Sequence, residues 1–252
     1  MWISIAKTKR GVTTFLDASI TSYTTYRYRV NAFSGTEKTA YSNEDTLFLP
    51  GIFPPIADTA TLLCWHFNDS GPTIKDASQY SRDGINTMGD HLAGRFDNAL
   101  YFSDSAFAST TVHMDYPGTS LSVEFWIKPR ATLSASTERT GLLQTLNGPI
   151  TIYYYNGRLV AEYAGQDSVK SVFAEQEFLP NQWYQVVVSF SSGKIKMFVD
   201  CKLIGMQAIG FNTKLTSDAL YVGKARVLNT DRFYEGYVDE LRIRRNAEEY
   251  FR

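Results

Sequence analysis

Cysteine is nearly absent: Cys64 and Cys201 are the only two in 252 residues. Two thiols so far apart make no disulfide framework. Two buried thiols are favoured over a single bridge, because a free cysteine behaves as a small hydrophobe. Histidine is as scarce, and His66, His91 and His113 are too scattered to suggest a metal triad. An excess of charge of either sign is also missing, since 25 Lys and Arg face 26 Asp and Glu. Nucleic acids and anionic membranes need a cationic partner surface, so no nucleic-acid binding is expected. No run approaches the roughly 18 apolar residues of a membrane helix, so no membrane insertion is expected either. Lys7, Lys9 and Arg10 follow the short apolar stretch 1–6, the reverse of a secretory signal. What is plentiful is aromatic: Phe, Trp and Tyr make up 14%, with 16 Tyr. Tyr favours strands and wet, half-apolar binding surfaces. The length supports one large or two modest domains with a sizeable core.

The periodicity is that of strands almost throughout. Residues 121–129 alternate and stop at Pro129; residues 183–190 are β-branched and aromatic; residues 194–200 alternate again. The last two read as a hairpin across Ser191-Ser192-Gly193. Residues 150–155 and 158–163 read as a second hairpin, because Asn156-Gly157 between them is the strongest short turn signal. Residues 236–244 form a late strand, and only the tail 246–250 reads as helix, with Asn246 as its cap. Many strands at short spacing without βα alternation predict an all-β antiparallel sandwich. Residues 47–55 are apolar but carry Pro50, Pro54 and Pro55, which remove ladder donors. They predict an extended linker at 47–57 between a segment at 1–46 and a domain at 58–252.

The first segment resembles the second half of a fibronectin type III domain. The resemblance rests on residues 13–17, 24–32 (Thr-Thr-Tyr-Arg-Tyr-Arg-Val-Asn-Ala) and 40–43. It implies a corner tyrosine at Tyr26 and an earlier strand at residues 2–6. Only about half such a domain is covered, so either a longer chain or a partner chain completes the half-sandwich.

Residues 58–252 resemble the laminin-G-like, concanavalin A-like lectin/glucanase superfamily. The landmarks stand in order: 62–69 (Leu-Leu-Cys-Trp-His-Phe-Asn-Asp), the Asp76–Gly84 loop, 94–102, 124–129, 181–186, 198–200, 219–223 and 233–243. The resemblance implies a jelly roll of two antiparallel sheets. Cys201 stands where the family usually has Gly after Val-Asp, and the Asp76 loop lacks the usual Gly after its Ser. The family's glycosidases carry Glu-x-Asp-x-x-Glu on one strand, which is absent here; Glu124 stands alone, and adjacent Asp239 and Glu240 are expected on opposite faces. No enzyme is therefore expected. The resemblance implies a structural Ca²⁺ held by Asp239 with Asn68, Asp69 and Asp76. Asn-Asp-Ser-Gly is equally a turn without metal, and Asp239 could instead pair with Arg242 or Arg244. Sugar-binding members present aromatics, which singles out Tyr153, Tyr155 and Tyr163, while Trp65, Trp126 and Trp183 are expected in the core. The function expected is a non-catalytic module that binds carbohydrate or a surface protein. Two settings fit: a phage virion structural protein, or a fragment of a secreted bacterial adhesin or of a glycoside hydrolase's accessory module.

Overall fold

The computed structural model describes residues 2–17, 24–49, 54–110, 113–116, 118, 120–130, 139–165, 168–209 and 215–245. The expected helix at 246–250 lies outside them. The chain divides into two units, Met1–Ile52 and Phe53–Arg252.

In the first unit β1 (Thr24–Tyr28) pairs antiparallel with β4 (Asp45–Leu49), and β2 (Phe33–Ser34) with β3 (Glu37–Lys38). The expectation that Leu47 to Leu49 open a linker is thus corrected: they finish a strand, and the prolines follow it. The expected strand at residues 2–6 is not formed; instead the Arg29 guanidinium stacks on Trp2 and Tyr41, 3.9 Å from each ring centre. The Tyr28 hydroxyl donates to Asp17 Oδ2 at 3.0 Å, while Tyr26 stacks on the Tyr28 ring. Residues 2–17 and 26–46 of this unit are all exposed or half-buried.

The second unit is a two-sheet sandwich. One sheet runs, in spatial order, β16 (Val169–Phe173), β15 (Arg158–Ala164), β14 (Ile150–Tyr155), β13 (Thr140–Leu146), β21 (Ala219–Val222), β10 (Phe107–Thr110), β7 (Gly84–Thr87) and β6 (Thr73–Ile74). The other runs β19 (Lys202–Ala208), β18 (Lys194–Val199), β17 (Tyr184–Ser191), β12 (Leu121–Pro129), β24 (Gly236–Arg244), β9 (Asn98–Phe102) and β8 (Asp90–Ala93). A further strand, β5 (Thr61–Trp65), also pairs with β24, and a ribbon of β11 (Met114–Tyr116) and β20 (Leu215–Ser217) stands beside them. Alternation explains the packing: Val123, Phe125 and Ile127 of β12 meet Ile152, Tyr154 and Leu159 of the facing sheet in one continuous core. Both expected hairpins form, and Asn156, Gly157, Ser192 and Gly193 take the left-handed backbone such two-residue turns require. Asp200 and Cys201 make the next turn, also left-handed, which explains why glycine suits position 201.

A last ribbon, β22 (Lys224–Val227) and β23 (Thr230–Phe233), folds over the outer side of β13 and β14. Gly141 permits this approach, for a Cβ there would come within 2.3 Å of the Ala225 nitrogen. Gly141→Ala should therefore lower stability by about 1–3 kcal/mol through overpacking. Denaturant titration would read this; an unchanged midpoint would show that the ribbon yields.

Candidate functional site

The side of the β12 sheet that faces away from the core is built in rows, because each row collects every second residue of neighbouring strands. At one end the row is aromatic and cationic. Lys128 is paired with Tyr237 across β12 and β24, and Tyr237 with Tyr101 across β24 and β9. Trp183, just before β17, flanks Lys128 on the other side. The Lys128 ammonium lies 3.8 Å from the Tyr237 ring centre and 5.0 Å from that of Trp183. The Tyr237 ring is 4.9 Å from Tyr101 and 5.9 Å from Trp183, centre to centre. Arg130 donates to the Tyr101 hydroxyl and is 3.3 Å from Glu235. Lys128, Tyr101, Tyr237 and Trp183 are all half-buried, so their faces are only partly covered.

One row further, Trp126 is 5% exposed. Phe96 meets it edge-on at 5.9 Å, and the Arg95 guanidinium lies 4.9 Å from its ring. The loop carrying both residues is anchored by Asp239, whose Oδ2 accepts from the Arg95 and Phe96 amides at 2.8 and 3.1 Å. Burial, assisted by the Glu240 charge, pushes the Asp239 carboxyl up to about 7. Beyond this row the face is dry and ionic. Glu124 accepts from Arg242 Nη2 at 2.5 Å and Nε at 3.1 Å, and from Gln185 Nε2 at 2.6 Å. Arg242 also donates to the Ile56 carbonyl at 3.3 Å.

Asp239 and Glu240 do not point to opposite faces. Glu240 takes a left-handed backbone (φ 53°), while Val238 and Leu241 both face the core, so the two acids between them share the outer side. Glu240 Oε2 lies 2.5 Å from His66 Nδ1, and His66 Nε2 lies 3.7 Å from Cys64 Sγ. Hydrogen bonds to Cys64 and then to Glu240 push His66 up to about 10. Three carboxylates therefore meet on this face, each buried and already engaged.

The four residues expected around calcium stand apart in their roles. Asp76 accepts from the amides of Cys64, Ser78 and Arg82 and from the Ser78 hydroxyl, which closes its loop onto β5. Asp69 accepts from the Lys75 amide, Asn68 from the Asn98 amide, and Asp239 from the loop above. Among the described residues no group of three or more His, Cys, Asp or Glu could hold a metal ion.

Two of the three expected tyrosines are corrected. Tyr163 is a core residue packed on Phe190, and Tyr153 lies under the β22–β23 ribbon with Val160 and Val227. The Tyr153 hydroxyl donates to Glu162 at 2.6 Å, and only Tyr155 keeps partial exposure. Trp65 is core as expected, but Trp126 and Trp183 belong to the outer face. An open depression of about 570 Å³ near Gln144, Asn147, Arg226 and Asn229 is poorly equipped, since Gln144 is bonded to the Arg226 amide and Asn147 to Asp218. Alternation alone marks Tyr101 and Tyr237 as outward, but their meeting depends on pairing between strands far apart in sequence, and local pattern does not carry that.

The model of a family described as the concanavalin A-like lectin/glucanases superfamily matches residues 102–248. No curated protein matches the sequence. Solved structures with a similar backbone include the binding domain of Paraclostridial Mosquitocidal Protein 1 (TM-score 0.61, 13% identity, covering 76% of this chain and 50% of that one). The receptor binding domain of botulinum neurotoxin C/D mosaic serotype is comparable (0.62, 15%, covering 76% and 49%). A third is from botulinum neurotoxin type C, whose cell entry is dependent upon interaction with two ganglioside molecules (0.59, 18%, 76% and 49%). The chain spans about half the length of these structures, and the likeness is one of fold. With its family model matched over more than half the sequence and its sheets arranged accordingly, the chain belongs to the concanavalin A-like lectin/glucanases superfamily.

Proposed function

We propose that the chain is a glycan-binding module that holds a sugar on the row Trp183, Lys128, Tyr237 and Tyr101. The observation that carries this reading is the meeting of three half-exposed rings with a lysine and a nearby arginine on one open sheet face. A sugar presents an apolar C–H face and a rim of hydroxyls; tyrosine and tryptophan offer an apolar body with a polar tip, and Lys128 and Arg130 add donors. The buried state of Glu124, Asp239 and Glu240 favours binding over hydrolysis, because a glycosidase needs two carboxylates open to the same glycosidic bond. Solved structures of the same fold support the reading, one of them a toxin binding domain in complex with SialylT. Displayed on a virion or a cell surface, such a module serves as an adhesive head.

A glycan array tests this. The full chain should retain a defined set of glycans, and Tyr237→Ala should weaken the best of them at least about tenfold, a loss of about 1.4 kcal/mol, with the melting temperature little changed. A flat array for the unaltered chain, or full binding by Tyr237→Ala, would remove the proposal.

A further inference from the structure

Away from the aromatic row, the same face holds a thiol, an imidazole and a carboxylate in series: Cys64 Sγ is 3.7 Å from His66 Nε2, and His66 Nδ1 is 2.5 Å from Glu240 Oε2. In such a series the ring handles the nucleophile's proton while the third group fixes which nitrogen faces it. Two local features assemble it. Cys64 and His66 stand two apart in extended chain, so they share a side, and the bulge at Glu240 turns its carboxyl to the same side. Glu240 is fully buried, and its other oxygen, Oε1, has no hydrogen-bond partner among the described residues. A buried acceptor left unpaired is costly, and a small hydroxyl-bearing molecule would satisfy it. The His66 side chain is 29% exposed, so the imidazole stands between water and the buried sulfur. Cys64 is fully buried, and its thiol also faces the Pro55 carbonyl as a donor at 3.9 Å, so the reagent proposed to reach it is one of a few atoms.

We propose that Cys64, His66 and Glu240 form a peroxide-reactive thiol site, at which hydrogen peroxide oxidises Cys64 to its sulfenic acid. With the thiol proton resting on His66 Nε2, Sγ attacks one peroxide oxygen; the S–O bond forms and the O–O bond breaks. The proton passes from Nε2 to the departing oxygen, which leaves as water. Sulfur gives up two electrons and the peroxide takes them, so thiol and H₂O₂ become sulfenic acid and H₂O.

The second cysteine supplies an internal comparison. Cys201 is less buried than Cys64, yet burial and the Asp200 and Glu124 charges push its thiol up to about 12. Its Sγ faces the Gln185 side-chain oxygen at 3.9 Å. Access and chemistry thus disagree about which cysteine reacts first, and the thiolate is the reactive form.

The native full chain would be treated with hydrogen peroxide, the peroxide destroyed with catalase, the chain then unfolded in the presence of dimedone, and the two cysteine peptides followed by mass spectrometry. Cys64 should be oxidised at least about tenfold faster than Cys201 in the native protein. His66→Gln should slow Cys64 by about tenfold or more while leaving the rate at Cys201 nearly unchanged, with Glu240→Gln between the two. The melting temperature should fall with the loss of the His66–Glu240 pair, so the rate at Cys201 serves as the control for global loosening. Oxidation of Cys201 first, oxidation of Cys64 only when the peroxide meets the unfolded chain, or a Cys64 rate indifferent to His66→Gln would overturn the proposal. If His66→Gln fails to fold, the ratio between the two cysteines in the unaltered chain decides it. None of these outcomes depends on whether the aromatic row binds a glycan.

Discussion

Arg242→Ala is expected to destabilise the sandwich by about 3–5 kcal/mol, enough to unfold many domains of this size. Glu124 is 3% exposed and Arg242 5%, and the guanidinium supplies two of the three hydrogen bonds to that carboxylate. Deleting the cation leaves a charge in a dry site with, among the described residues, only Gln185 to answer it. The Ile56 carbonyl loses its donor at the same time, which loosens residues 54–58 over the face. Urea denaturation would report the loss as a lower midpoint at an unchanged slope. Replacing both partners by apolar residues of similar volume, Glu124→Leu with Arg242→Met, should restore most of it, because the cost comes from the orphaned charge rather than from the missing attraction. A single variant as stable as the parent would mean that water reaches Glu124.

Stability should also fall as the solution is made more alkaline, from about pH 4 to about pH 10, in two limbs. The folded state holds the Asp239 proton to about pH 7, against 3.8 for the free side chain, so between those values the native form binds the proton more tightly and loses ground as pH rises. For a fully buried group this amounts to about 4 kcal/mol across the window. Burial raises Glu240 and Asp200 in the same direction. His66 adds the second limb. Its folded value of about 10 lies above the ordinary 6.5, so its contribution is complete below about pH 6.5 and is lost as pH climbs through 10. Asp58 and Asp83, both held low by hydrogen bonds and a cationic neighbour, act the other way, but only at the acidic end. Melting temperatures at pH 5, 7 and 9.5 should therefore descend. Asp239→Asn should flatten the first limb and His66→Gln the second. A melting temperature that rises from pH 5 to 9.5 would refute the assignment of both groups.

What could be foreseen from the sequence follows the range of the forces involved. Turn chemistry is local, so Asn156-Gly157 and Ser192-Gly193 announce their hairpins; the alternation around Val123 and Phe125 announces a two-layer sandwich. The strand at Asp45–Leu49 was obscured by prolines lying just beyond its end. The shared face of Asp239 and Glu240 was hidden because nothing in Val-Asp-Glu-Leu marks a left-handed residue. That backbone is imposed by pairing with β12 on one side and with β9 and β5 on the other. The same long-range pairing decides that Trp65 turns inward while Trp126 and Trp183 turn outward. Cys64 and His66 are legible as a same-side pair, but their third partner lies 174 positions away from His66.

The graded rows along β12 and β24 divide tenure of one surface. Positions 101, 128, 183 and 237 are half-buried and pack mainly on one another, while Glu124, Asp239 and Arg242 further along are buried. Libraries confined to those four positions should yield variants that recognise different molecules yet melt alike, making the domain a scaffold whose appetite can be rewritten without renegotiating its architecture.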